Sequence, residues 1–304
     1  MIVDSAPAII RTPREAWLAE RRKLVTASDA AAILGEDPRR SALSVYAEKV
    51  EGIETPETSR MRRGRRLEPV IAAEYEDDTG RHVGSTDPYR IDRHPDVPWL
   101  GATLDRVTFG STLLPSPADG YGPLELKAVV DRGAAHEWDD GEAPVGYEIQ
   151  LQIQIACRRA AWGSLCGFVP EIDTVVVRDR LRDDAFLGVA LPILEDFRAR
   201  LRDRRPPEAD GLPGSTAAVR RLWAKADGLT VPLDHEALAM ADRWAAATAR
   251  RMGAAFEEDE LENRLRQRMA AATFGALPDG SYLTLKPHGK GRALRRWWPR
   301  LRRR

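Results

Sequence analysis

The sequence predicts an α/β (α+β) protein with a central mixed sheet flanked by helices, followed by a mostly helical C-terminal extension. Up to Gly80 the chain divides into helical segments with recognisable caps. Beyond it, short apolar runs and one helical stretch follow in the order β-hairpin, helix, β-hairpin, helix, which suits a mixed sheet with helices packed on it. A stretch dense in Pro and Gly, RRPPEADGLPGS (Arg204–Ser215), then separates a region of different composition. The expected division is therefore a domain over 1–205, a linker over 206–214, and an extension over 215–304 holding a β-hairpin and a basic tail.

Thr12 begins a capping box, with Pro13 at the first helical position and Glu15 three residues after the cap, so a helix is expected to about Arg22. Ser28 can cap a short helix, SDAAAIL, that stops at Gly35. Ser41 opens another, ending near Gly52, and a longer helix is expected from about Thr58 to Thr79, stopped by Gly80. Its Met61, Leu67, Val70, Ile71 and Tyr75 form a rough apolar stripe. Short β pieces follow near Arg81–Val83 and Tyr89–Asp92, then a clearer strand over Leu100–Phe109. The turn-rich Gly110–Gly122 joins that strand to PLELKAVV (Pro123–Val130) as a hairpin. Pro144–Ala160 reads as a helix, Ala161–Val169 and Ile172–Arg178 as strands, and Asp183–Asp203 as a closing helix. In the extension, a short helix near Thr216–Ala226 precedes a long helical region from Asp234 to Thr273. Two short β pieces then flank a turn at Pro278–Gly280.

Among 304 residues, 43% are hydrophobic and the mean hydropathy is −0.43, which fits a soluble protein with a proper core. No run approaches the roughly 18 to 20 uncharged apolar residues that a membrane span needs. The N-terminus lacks a basic stretch followed by an apolar one, so no signal peptide is expected. Cys157 and Cys166 form neither a metal-type cluster nor a disulfide framework. A cytoplasmic protein with inert thiols is the expectation. The 47 basic and 47 acidic residues cancel, but not locally. Lys286–Arg304 holds two Lys and seven Arg with no acid, and RMRRGRR (Arg60–Arg66) holds five Arg. Such blocks suit a polyanion, and a terminal one is equally a solubilising tail.

In PLELKAVV, strand periodicity puts Leu124, Leu126, Ala128 and Val130 on one face and Glu125, Lys127 and Val129 on the other. The same periodicity puts Asp105 with Thr103, Val107 and Phe109. Across the hairpin, Asp105 and Glu125 can share a side of the sheet. Two carboxylates held close are costly unless a cation sits between them, and oxygen-rich ligation favours Mg²⁺ or Mn²⁺ over zinc. Lys127 emerges on the same face, able to hold a water or offset phosphate charge. Read alone, the pattern is most simply an ordinary cross-strand ion pair. Glu68 sits mid-helix after Gly64 and its neighbouring arginines, where a solvated helix face is the simple alternative. Tyr147, Gln150, Leu151 and Gln154 share one helix face. Buried amides need partners, so this face suits a phosphate backbone or a bound water as well as an amphipathic edge.

Taken in order, RRKLVTASDAAAILG, SALSVYAEKVEG, GRRLEP, LGATLDRV, LELKAV and YEIQLQIQIA resemble the YqaJ-type viral recombinases. With λ exonuclease, these belong to the PD-(D/E)xK nuclease superfamily. The resemblance covers roughly residues 20 to 180 and is far more specific than any single block. It implies a restriction-endonuclease-like core and Mg²⁺-dependent cleavage of DNA phosphodiesters (Mn²⁺ substituting), typically 5′→3′ from duplex ends. Asp105 and Glu125 are then the implied metal ligands, helped by the Leu126 carbonyl. Lys127 is the catalytic lysine, and Glu68, in the block Gly64–Glu68, a further acidic residue at the metal. Gln150, three residues after Tyr147, is implied to steady the water or the DNA strand. Ser28 matches a phosphate-binding position at a helix N-terminus, assisted by Arg21 or Arg22. The arginines of RMRRGRR, Arg65 among them, are expected to hold the DNA backbone, as Tyr147 does. The family also implies a single-strand annealing protein as partner and homo-oligomers.

The sequence departs from the superfamily pattern at Leu104, where its name has proline, and in the 19 residues between Asp105 and Glu125, a longish insertion. Two other readings stay open: an endonuclease or nickase of the same superfamily, and a non-catalytic DNA-binding module on the same fold.

Overall fold

The structure, a computed structural model, describes residues 12–52, 58–110, 120–128, 134–169, 174–226, 228–289 and 291–297. Most of the expected hairpin loop, the last two residues of PLELKAVV and the end of the basic tail lie outside these.

The predicted box closes α1 (Pro13–Lys23): the Glu15 N–H donates to Thr12 Oγ1 at 3.3 Å and the Thr12 N–H to Glu15 Oε2 at 2.8 Å. β1 (Val25–Thr26) runs into α2 (Ala27–Ile33), whose start differs from expectation. Thr26 is the cap, with its N–H and hydroxyl both donating to Asp29 Oδ2 at 3.1 and 2.6 Å, and Ser28 lies inside the first turn. Ser41 and Ser44 exchange bonds to start α3 (Ala42–Glu51). α4 (Ser59–Thr79) starts at Thr58 and ends at Gly80, whose φ of 65° is the left-handed stop that glycine takes without strain.

The sheet region comprises β2 (Val83–Ser85), β3 (Asp92–Arg93), β4 (Leu100–Ala102), β5 (Arg106–Phe109), β6 (Tyr121–Ala128), a 3₁₀ helix (Ala134–Gly141), α5 (Val145–Arg158), β7 (Trp162–Val169) and β8 (Thr174–Leu181). α6 (Asp184–Arg202) and α7 (Pro213–Leu222) follow. The main sheet has the order β2-β5-β6-β7-β8, with β6 and β7 parallel across α5 and the other neighbours antiparallel. Both of its faces are covered. Leu124, Leu126, Cys166 and Val175 pack on Ile71, Ala72 and Tyr75 of α4. On the other side Leu165 and Val169 pack on Trp138, Leu151 and Ile155.

The expected strand Leu100–Phe109 is two strands in two sheets. β4 pairs in parallel with β1 and antiparallel with β3, whereas β5 pairs with β2 and β6. Side chains brace the bend between them: Trp17 Nε1 donates to Thr103 Oγ1 at 3.0 Å, and Thr86 Oγ1 donates to the Leu104 and Asp105 carbonyls at 2.8 and 2.9 Å. Asp105 therefore stands at the entrance to β5, just beyond the last paired residues, Arg106 and Leu124.

The chain forms two compact units, 1–226 and 227–304. α7 stays with the first unit because it docks on α3. The Gly214 N–H donates to the Arg39 carbonyl at 3.1 Å and Ser215 Oγ to Ser41 Oγ at 2.7 Å. A Cβ at Gly214 would come within 2.7 Å of that carbonyl, which makes glycine the residue for the close approach. In the second unit, α8 (His235–Met269) precedes an antiparallel sheet of β9 (Phe274–Ala276), β10 (Tyr282–His288) and β11 (Gly291–Trp297). The first part of the expected basic tail is thus strand. Leu285 and Leu294 pair across β10 and β11, and Leu283 and Leu285 close a small core with Met269.

Candidate active site

β6 is the middle strand of the main sheet, so Glu125 and Lys127 are enclosed by neighbours on both sides. Glu125, 2% exposed, turns toward α5, where two glutamines one helical turn apart meet it. Gln150 Nε2 donates to Glu125 Oε1 at 2.7 Å, and Gln154 Nε2 to Oε2 at 2.5 Å. Lys127 Nζ forms an ion pair with Glu125 Oε1, donates to Gln150 Oε1 at 3.2 Å, and lies 4.8 Å from the centre of the Tyr147 ring. Burial works against the ammonium, but the Glu125 and Asp105 charges overcome it and hold the Lys127 proton more firmly than usual.

Asp105 reaches the same place from β5. Its Oδ2 accepts the Leu126 N–H at 3.0 Å, which fixes the carboxylate beside the Glu125–Lys127 stretch. Burial, and after it the Glu125 charge, pushes the Asp105 carboxyl well above the ordinary carboxylate range. Glu68 approaches from α4 and is half-buried. Burial raises its pKa, Arg106 opposes that, Glu125 adds to it, and Arg65 and Lys127 pull it down. Glu68 thus senses the site electrostatically, with no hydrogen bond to it among the described residues. Arg65 is exposed on α4, near enough to act on Glu68.

Of the two arginines expected beside Ser28, Arg21 is the one that contacts it. Its guanidinium donates to Ser28 Oγ at 2.8 Å and stacks over Trp17 at 4.6 Å. Arg22 leaves the other side of α1 and lies against Gly52, where a Cβ would come within 3.1 Å of it. Through Trp17 and Thr103 this pocket connects to the carboxylates, because Gln154 Nε2 also reaches the Thr103 carbonyl at 3.4 Å.

Two features lay beyond sequence reasoning. Gln154 was visible on the Tyr147–Gln150 face, and its spacing of four from Gln150 is the signal that both could grip one carboxylate. The second is the buried ion cluster beneath Ser28. Asp29 pairs with Lys49 at 2.8 Å and Arg40 at 3.2 Å, and Arg40 also holds the Ser28 carbonyl at 2.9 Å.

For a divalent ion the donor chemistry fits: hard carboxylate oxygens from Asp105 and Glu125, held close at a cost that a cation relieves. In the arrangement present, both Glu125 oxygens are occupied by Lys127 and the two glutamines. Among the described residues, no three acidic, histidine or cysteine side chains converge at ligand distance. No helix among them is long and apolar enough to cross a membrane.

Comparison with known proteins finds relatives of the segment that carries this site. Residues 16–161 match the YqaJ-like viral recombinase domain. The uncharacterized protein YqaJ of Bacillus subtilis (strain 168) is 25% identical over 222 residues, which are 70% of this chain and 65% of that protein. The chain thus spans just under two thirds of that relative. A crystal structure of LHK-Exo in complex with dAMP shares 23% identity over 69% of this chain and 98% of its own, with a TM-score of 0.51. A second structure, of this alkaline exonuclease from Laribacter hongkongensis, shares 24% identity over 63% and 94%, also at 0.51. At these identities the likeness to solved structures establishes the PD-(D/E)xK-like fold, a mixed sheet flanked by helices. The segment 16–161, which carries Glu68, Asp105, Glu125, Lys127 and the α5 glutamines, is the part of the chain that is similar to the YqaJ-like viral recombinase domain.

Proposed function

We propose that the protein is a metal-dependent DNA exonuclease of phage-type recombination, degrading duplex ends 5′→3′ by phosphodiester hydrolysis. One observation carries the reading: Lys127, Glu125 and Asp105 meet at the centre of the sheet with two glutamines aligning Glu125. A plain surface ion pair has no need of this enclosure, since desolvating charges is costly. The family domain supports nuclease chemistry, and the fold is shared with an alkaline exonuclease.

Asp105, Glu125 and the Leu126 carbonyl would hold Mg²⁺, or Mn²⁺ in its place, with Glu68 supporting. When bound, the ion supplies Lewis-acid polarisation of the scissile phosphate. Lys127 and Gln150 now hold Glu125 Oε1, and a Glu125 that held the ion would free the Lys127 ammonium. The freed Lys127 ammonium is then available to orient the attacking water and to offset charge in the transition state. Gln150 keeps its place beside it to steady that water, and the Tyr147 ring limits where the ammonium can move. Arg21 and Ser28 receive a terminal phosphate, while Arg65 and its neighbours on α4 hold the DNA backbone in a sequence-tolerant, salt-sensitive way. A single-strand annealing partner, a homo-oligomeric form and a cytoplasmic setting follow from the family reading.

The test offers linear and covalently closed duplex DNA, labelled at either end, with Mg²⁺, Mn²⁺ or EDTA. We expect loss of 5′ label from linear DNA, an intact circle, and no digestion in EDTA. Cleavage of the circle would make the protein an endonuclease or nickase, and binding without cleavage under any metal would make it a non-catalytic module.

A further inference from the structure

We infer that α8 is a self-association helix, pairing antiparallel with α8 of a second copy about a two-fold axis at Ala254. The helix runs for 35 residues and buries only Met269. Its C-terminal turns are seated on the small sheet through Leu265 and Met269. The face that continues from that seat toward the N-terminus is uncovered, leaving Met240 56%, Trp244 73% and Leu261 51% exposed. Met240, Trp244 and Ala247 line one groove on it, and Ala254, Leu261 and Leu265 line another together with Leu294 of β11.

Charge identifies the occupant. Residues seven apart on a helix lie nearly in line. Ala247, Ala254 and Leu261 form such a line. On one flank Arg250 is followed by Glu257, and on the other Arg251 is followed by Glu258. None of these four charges has an ion-pair partner among the described residues, although Glu260–Arg264 and Glu262–Arg266 pair on the same helix at 2.7 and 2.6 Å. Two parallel copies would set Arg beside Arg and Glu beside Glu. Turned end for end about Ala254, each copy sets Arg250 and Arg251 alongside Glu257 and Glu258 of the other, and like charges no longer meet. The same rotation brings the small Ala254 side chains together at the crossing, where the backbones can approach closely. Ala247 then faces Leu261 of the second copy, and Trp244 reaches the groove of Leu261, Leu265 and Leu294.

Oxidative cross-linking of the full-length protein tests this, because the native thiols of Cys157 and Cys166 are buried. Ala254→Cys should give a disulfide-linked dimer. Ala247→Cys and Leu261→Cys chains should link efficiently only when mixed. Adding Arg250→Glu and Arg251→Glu to Ala254→Cys should abolish the dimer, and further adding Glu257→Arg and Glu258→Arg should restore it, which a folding defect would not allow. Self-linking of Ala247→Cys as ready as its linking to Leu261→Cys would overturn the antiparallel pairing. Absence of any cross-link would show that something other than a second copy covers the helix.

Discussion

Gln154 donates to Glu125 Oε2 at 2.5 Å from a position with no exposed surface. Its own Oε1 is buried with no partner among the described residues, so the amide's contribution there comes through Nε2. With Gln150 on Oε1, the pair fixes the plane of the carboxylate that the proposed reaction uses. Gln154→Leu keeps much of the volume but leaves Oε2 buried with no donor. We expect a loss of about 1–3 kcal/mol in urea unfolding and a slower nuclease rate. Unchanged stability and rate would show that Glu125 needs no such clamp.

Asp29 is the structural counterpart in the ion cluster beneath Ser28. Burial pushes its carboxyl up, but Lys49, Arg40 and Arg21 overcome this and hold it well below the ordinary range. Asp29→Asn strands buried cations, and we expect destabilisation of about 3–5 kcal/mol at pH 7. Because the folded-state pKa is depressed, the Asp29 contribution is present above the unfolded value of about 3.9 and is lost as pH falls through the folded one. The gap between wild type and variant should therefore narrow below about pH 4 in denaturation experiments. A gap independent of pH would argue against the ion cluster.

Arg21 reaches Ser28, whereas its neighbour Arg22 lies against Gly52, and the proposed phosphate seat rests on the first of these contacts. Arg21→Ala should raise KM for 5′-phosphorylated duplex ends and erase their advantage over 5′-hydroxyl ends, while Arg22→Ala should preserve it. Equal effects from both variants would mean that Ser28 and Arg21 do not form the phosphate seat.

Gly167 pairs with Lys127 across β6 and β7, and a Cβ there would come within 2.6 Å of the Trp138 ring. Trp138 in turn contacts Tyr147, the ring beneath the Lys127 ammonium. Gly167→Ala should cost about 1–3 kcal/mol through overpacking, measured by urea unfolding, and should lower activity beyond what the residual folded fraction explains. A stable, fully active variant would show that Trp138 yields freely.

How much of this was legible depended on whether the cause was local. The period of two in PLELKAVV placed Glu125 and Lys127 together, and the hairpin brought Asp105 alongside. The cap at Thr12, the helix starts at Ser41 and near Thr58, and the stop at Gly80 are local chemistry and were read correctly. The bend at Thr103–Asp105 was not, because it depends on β1 and β3 claiming β4 from distant parts of the chain. Choosing Arg21 over Arg22 required the rotational phase of α1 against Trp17 and Gly52. Thr26 and Asp29 form a capping box three residues apart, a local signal in T-x-x-D that the reading of Ser28 as the cap passed over. α7 looked like part of the extension because its seat on α3, through Ser215 and Ser41, joins residues far apart in sequence.

The central claim is that Lys127 and Glu125 perform phosphodiester hydrolysis. The most direct measurement is the single-turnover rate of Mg²⁺-dependent digestion of linear duplex DNA by wild type, Lys127→Ala and Glu125→Ala, each confirmed as folded by circular dichroism. The account predicts that both variants still bind DNA but lose at least about a hundredfold in rate, the scale expected on removing a preorganised electrostatic group. Digestion by both variants at the wild-type rate would contradict it.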